Sequence, residues 1–458
     1  MNQYESIDTS LIQSDNSYEN ERIEISLFSL LQDGLVLVFL VRALIPAAYM
    51  GLEGYRLQGI LFPVWLVMIL WGDRSHSLWQ SITKCRGAFV GLCGYIIYLL
   101  IITFFGHGLD ASGHLFSLRD TIPLYIMGCY YGFYYPTRFW KICGIVFAIL
   151  GVQAAYSLPK LTTDPFVVRN VMANSMFLEE GKVYSIHTAW DIALNGVGDY
   201  SLYTSNAILT AIFAGFSLNE RKRISLRIFW FFALIALILA NIQSTFTAAS
   251  IISICGTLVV LIRAITYGKI RLPSVILLFG AMTVGTLLFI SMVAETGPFE
   301  YVYNKAWAIF EGVGSGGLAA DPTTRGEGII MSLSALAGNP LFGSGAIGSK
   351  SLTLGTLHIT SGGHSSWLDV LLQYGLVGAF WCYLIVYSIG KQTLKSCRMI
   401  KDELLPEVFL IAYGCYILYG LINPVLRMRS IDFVLYFVLI GGAFAFEKQA
   451  SLNAMREK

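Results

Sequence analysis

Residues 228–263 read IFWFFALIALILANIQSTFTAASIISICGTLVVLIR. Two apolar runs, each near the ~20 residues that a bilayer requires, flank a short polar turn. In lipid every backbone amide must be satisfied within its own segment, so the pair reads as a helical hairpin rather than open strands. The pattern recurs along the chain. Candidate spans fall at about 33–50, 58–72, 87–105, 121–136, 139–158, 198–218, 228–243, 245–263, 274–294, 367–389, 405–424 and 432–447.

Composition agrees. Hydrophobic residues make up 55% of the chain and charged residues 13%, against roughly a quarter charged in soluble domains. The expected fold class is an all-α polytopic membrane protein of about twelve helices. A net charge of +2 is too small to suggest a nucleic-acid partner. The first 26 residues are polar and acidic and lack the basic and apolar regions of a signal peptide. They are expected to form a disordered cytoplasmic tail before a single transmembrane domain over 27–447, with a second tail at 448–458. The eight cysteines contain no CxxC pair, so small buried hydrophobes are expected rather than zinc or redox chemistry.

Lysine and arginine set the orientation. The segments 73–86, 219–227, 265–271 and 391–401 are basic, and alternation of the spans puts all four on one side. That side is expected to be the cytosol, with both termini there. Two long loops, about 159–197 and 295–366, then lie on the outer face. Loops beyond ~15 residues are usually functional or structured. Within the second, 298–312 and 321–338 have helical spacing. Asp321 suits an N-cap, Pro322 the first turn, and Gly338 with Asn339-Pro340 the end. Two short amphipathic helices over the bundle are expected there.

The ionisable residues follow from this topology. His107, His114, His187, His358 and His364 fall outside and only His76 inside. The outer arginines are Arg56, Arg119, Arg169, Arg325, Arg427 and Arg429. Arg56 and Arg119 read as solvated or headgroup-contacting charges. Arg325, and then the Arg427/Arg429 pair, suit an anionic ligand such as a diphosphate. A guanidinium offers bidentate hydrogen bonds and a permanent charge. Preset cations also lower the barrier for a leaving diphosphate. His364 follows Gly362-Gly363 at the start of an apolar helix, where Ser365 or Ser366 can cap. Its near-neutral pKa suits a general base. His358, in an apolar stretch, is better read as a packed or loop histidine. Asp369 lies one turn into that helix and can orient a neighbour or pair with an arginine. No HExxH occurs and the step between the two histidines is poor ligand spacing, so no metal site or cofactor is expected. The glycine-rich GSGAIG (343–348) does not follow a strand and is no nucleotide loop.

NPLFGSGAIG (339–348) followed by HSSWLDVLLQYGLVG (364–378) resembles the signature of the bacterial O-antigen ligase and O-antigen polymerase superfamily. Arg325, Asn339, Pro340, Gly343, Gly345, His364, Leu368, Gly375, Leu376 and Gly378 follow its order. The resemblance covers about 325–378 and agrees with the span number and the large late outer loop. It implies a metal-independent, membrane-embedded glycosyltransferase of the C type. The donor is a glycan on undecaprenyl diphosphate at the outer leaflet of the bacterial cytoplasmic membrane. It assigns the diphosphate to Arg325 and activation of the acceptor hydroxyl, or the diphosphate, to His364. An arginine that often follows a serine in a middle outer turn is replaced here by Thr245, after Ser244. Arg169 or Arg427 and Arg429 are the candidates to supply that charge, with His358 and Asp369 as further substrate contacts.

These features lead to a polymerase of lipid-linked repeat units. The alternative is a ligase that transfers the glycan to lipid A core or another acceptor. Expected partners are the bilayer, the lipid-linked donor and acceptor, a chain-length regulator and a flippase. A transporter would instead show mid-span charges and broken helices.

Overall fold

The computed structural model describes residues 27–44, 54–71, 75–105, 112–164, 167–168, 196–198, 200–219, 224–268, 336–338, 340–343, 352–354, 357–359, 365–400, 403–423 and 429–456. They form α1 (Leu27–Leu44), α2 (Gly54–Trp71), α3 (Ser75–Lys84), α4 (Arg86–Phe105), α5 (Ser112–Tyr134) and α6 (Pro136–Thr163). Then come α7 (Tyr200–Asn219), α8 (Ile224–Gln243) and α9 (Thr247–Thr266). A small hairpin, β1 (Leu352–Leu354) with β2 (Leu357–Ile359), precedes α10 (Ser366–Met399) and α11 (Leu404–Ile422). The chain closes with α12 (Arg429–Phe433), a π-helical segment over Val434–Leu439, and α13 (Ile440–Arg456).

This is a polytopic membrane protein. Among the described residues, α6, α8, α9, α10 and α11 are each long and apolar enough to cross a bilayer. A sixth crossing follows if α3 and α4, bent by 94° at their junction, count as one broken span. Large apolar side chains such as Trp71, Phe104 and Phe232 face outward, as lipid contact requires.

Several boundaries differ from those expected. α5 starts at Ser112, so His114, Arg119 and Asp120 stand in a helix and not in an outer loop. Arg119 and Asp120 form an ion pair at 3.6 Å, which lessens the cost of helical charges near lipid. α6 runs on through Pro159 to Thr163, so the first long outer loop starts later than 159. The basic 391–399 stretch and most of the 448–458 tail are helical continuations of α10 and α13. Arg42, within the expected 33–50 span, lies in the last turn of α1. The predicted helix over 298–312 and the span 274–294 lie outside the described residues.

The described helix ends that flank the four basic segments gather at one end of the bundle. Arg263, in the last turn of α9, forms a two-point ion pair with Glu407 in the first turn of α11, both contacts at 2.6 Å. Lys395 of α10 meets Glu447 of α13 at 2.8 Å. Cys85, at the α3–α4 bend, contacts the Ser388 carbonyl of α10 at 3.7 Å. Gly215, near the end of α7, packs on Val408. Arg138 joins α6 to α1 at this end. It grips Asp33 through Nε and Nη2 at 2.9 and 2.6 Å, between the rings of Tyr131 and Tyr135.

In lipid, helices associate through close packing of small residues and a few polar contacts. Gly132 of α5 lies directly on the Gly441 backbone of α13, where a Cβ would collide with the Gly441 carbonyl. Gly132→Ala should therefore lower thermal stability by about 1–3 kcal/mol, the usual cost of overpacking. A polar seam links α7, α8 and α9. Asn241 donates to Ser253 Oγ at 2.6 Å, and the Ser250 hydroxyl donates to the Asn241 carbonyl at 3.1 Å. All eight cysteines are free thiols.

Candidate functional site

At the end of the bundle opposite the basic segments, the 339–348 and 364–378 stretches meet in a backbone lock. Residues 336–338 are helical and Pro340–Gly343 form a turn, with Gly343 at φ 71. α10 breaks at Gly375, which has φ 61 and ψ −169. A helix that restarts after a break has N–H groups with no partner in the preceding turn. Here the Leu376 N–H donates to the Pro340 carbonyl at 2.9 Å, and the Val377 N–H to the Leu341 carbonyl at 3.1 Å. The two chains approach so closely that a Cβ on Gly343 would stand 2.5 Å from both the Gly375 nitrogen and the Leu372 oxygen.

Tyr98 of α4 secures this lock. Its hydroxyl donates to the Tyr374 carbonyl, with the Phe342 carbonyl 3.2 Å away. Tyr98→Phe would leave the Tyr374 carbonyl without this donor, and should cost about 1–3 kcal/mol in thermal unfolding. The tip of the turn, Leu341 and Phe342, is exposed.

The start of α10 is fixed separately. Ser365 occupies the N-cap position, yet its side chain makes no capping hydrogen bond. The Ser365 hydroxyl donates to the Gly420 carbonyl at 3.4 Å and the Ser366 hydroxyl to the Asn423 carbonyl at 3.2 Å. The closing carbonyls of α11 have no N–H donors within their own helix, so the hydroxyls are drawn across to them. Trp367 adds an indole donor to the Ile417 carbonyl at 3.2 Å. Asp369 sits half-buried in this first turn, its N–H donating to the Ser365 carbonyl at 2.8 Å. An acidic side chain is favourable there because it faces the positive end of the helix dipole.

The other expected site residues are described only in part. His364, Arg325, Arg169 and Arg427 lie outside the described residues. The backbone of His358 is in β2, paired with Thr353, and that of Arg429 opens α12; their side chains lie outside the description. From sequence no strand is expected at His358, which reads as a packed or loop histidine. Among the described residues no group of three or more His, Cys, Asp or Glu side chains is placed to hold a metal ion.

The turn after α8 has a distinctive form. Ser244 and Thr245 are fully buried and Thr245 has φ 62, an outlying conformation for a β-branched residue. The Ser244 hydroxyl folds back onto the Asn241 carbonyl at 2.7 Å. The position where the resembling family often carries an arginine is thus an uncharged, inward-facing turn.

One group was missed by sequence reasoning. Beside the lock, α4, α5, α10, α12 and the π-helical segment surround a cavity of about 30 Å³. It is lined by Tyr95, Thr121, Tyr374, Asp432 and Tyr436 together with aliphatic side chains. Asp432 is buried and accepts a hydrogen bond from the Thr121 hydroxyl at 2.7 Å. The signal was present, since Asp432 is an acid at the very start of the last apolar run, and ionisable groups at such positions are functional candidates. Compared with known protein families and with curated protein sequences, the chain matches none.

Proposed function

We propose that this protein is a polymerase of undecaprenyl-diphosphate-linked oligosaccharide repeat units. It works at the outer face of the bacterial cytoplasmic membrane, with about twelve spans and both termini in the cytosol. The growing chain on its lipid diphosphate is the donor and the next lipid-linked unit the acceptor. An acceptor hydroxyl attacks the anomeric carbon in line, forming the new C–O bond as the bond to the diphosphate breaks. His364 takes the hydroxyl proton. Arg325, aided by Arg169 or by Arg427 and Arg429, stabilises the departing diphosphate. One displacement inverts the anomeric centre, and no metal or cofactor takes part.

The observation that carries this reading is the pair of anchors around residues 344–364. Gly343 is fastened to Gly375 and Ser365 to Gly420, both at the end of the bundle opposite the basic segments. The segment ending in His364 is therefore held at both of its ends. Purified protein in lipid nanodiscs, given undecaprenyl-diphosphate-linked repeat units and a metal chelator, should produce a ladder of longer lipid-linked glycans. No ladder, with intact acceptor recovered, would exclude the polymerase.

The broken α10 and the buried Asp432 are features that a transporter also shows. In transporters the unwound backbone at the break is left available to the substrate. Here the freed Leu376 and Val377 N–H groups are taken by the Pro340 and Leu341 carbonyls, which favours the transferase.

A further inference from the structure

The Asp432 cavity has a charge that the proposed chemistry does not use. Asp432 is 6% exposed. Asp120, the residue before Thr121 on the facing helix α5, brings a second acidic side chain close by. The basic residue described next to this pair, Arg119, contacts Asp120 at 3.6 Å. Among the described residues the other polar groups facing Asp432 are uncharged side chains. They are Thr121 from α5, Tyr95 from α4, Tyr374 and Cys382 from α10, Tyr416 from α11 and Tyr436 from the π-helical segment. Among the described residues no lysine, arginine or histidine pairs with Asp432.

An ionised carboxylate shielded from water and without a counter-charge is too costly to persist, and such groups are neutralised or paired. The space next to this one is about 30 Å³, room for one or two water-sized occupants. The backbone beside it is π-helical from Val434, a form frequent at functional sites.

We propose that this cavity is a binding site for one monovalent positive charge, held by Asp432 and Thr121 and supplied either as a proton or as a sodium ion. The site stands apart from the transferase chemistry above and holds whether or not that reading does. Its occupancy ties α12 to α5, and through Tyr374 it adjoins the break in α10.

The test uses the purified full chain in nanodiscs, with thermal unfolding followed by tryptophan fluorescence. Two series are run at constant ionic strength: pH 5 to 9 in choline chloride, and sodium replacing choline at pH 9. A proton held by Asp432 in the folded chain and shared with water after unfolding adds stability that is lost as pH rises. The wild type should therefore lose a few degrees of melting temperature as pH rises in choline. If sodium also fills the site, sodium should restore that loss at pH 9. If only a proton does, sodium should have no effect. Asp432→Asn, neutral by construction, should show neither response, whereas Asp432→Glu should keep the wild-type response. A wild type whose melting temperature is flat in both series would overturn the proposal. So would Asp432→Asn responding as the wild type does. If Asp432→Asn fails to fold, the wild type and Asp432→Glu series decide.

Discussion

Gly375→Ala should lower the stability of the protein by roughly 2–5 kcal/mol and abolish its activity. Two costs add. At φ 61 and ψ −169 the backbone is in a region essentially reserved for glycine, worth about 1–3 kcal/mol to any other residue. A new Cβ would also overlap the Leu341 carbonyl, and overpacking of this kind typically costs about 1–3 kcal/mol more. Relief of the overlap requires the 340–343 turn to move away, which strips the Leu376 and Val377 N–H groups of their acceptors. Gly343→Ala attacks the same contact from the other side and should behave alike. Gly414→Ala is the control. That helical glycine has open space where its Cβ would go, so alanine should be neutral or gain up to about 1 kcal/mol. Thermal unfolding of the three variants in nanodiscs checks the ordering. Equal effects for Gly375→Ala and Gly414→Ala would mean that the lock contributes nothing.

His364→Ala should leave the protein inserted and folded while reducing chain extension by at least about 10²-fold, the usual contribution of a positioned general base. His358→Ala, in the short hairpin on the same segment, should reduce extension far less than His364→Ala, because it removes at most a substrate contact and not the proton acceptor. The contrast separates loss of a proton acceptor from general disturbance of the loop. Arg325→Ala should cause a loss of about 10²–10³-fold, comparable to removal of one preset donor from a developing anion. Extension can be read from product ladders with purified protein, and insertion from the yield and melting temperature of the same samples. Full-length products with His364→Ala would remove that residue from the mechanism.

The general class was plain in the sequence because lipid imposes a strict rule on backbone groups, and runs such as 228–243 and 245–263 can satisfy it only as helices. Helix limits were less legible. Hydropathy alone places the start of α5 at the first uncharged residue, whereas the Arg119–Asp120 pair lets the helix begin at Ser112. The amphipathic α3 was concealed inside a basic loop because its polar face lowers the mean hydropathy. At the candidate site, the glycines of NPLFG and QYGLVG were recognisable as a pattern. Their mutual contact was not, because it depends on a break in α10 that the continuous apolar run conceals. Ser365 and Ser366 were read correctly as marking a helix start, but the hydroxyls serve α11 instead, a partner that local sequence cannot identify. Asp432 was visible, yet its isolation from any described basic side chain emerges only when α4, α5, α10 and α12 are brought together.

The most direct measurement is a gel of surface glycans from a strain lacking this protein, complemented by the wild type or by His364→Ala. Repeat-unit polymerisation predicts a deletion strain that carries single-repeat products only, with the ladder restored by the wild type and not by His364→Ala. Long polymer stranded on the carrier lipid would instead identify a ligase, and glycans unchanged by the deletion would contradict both.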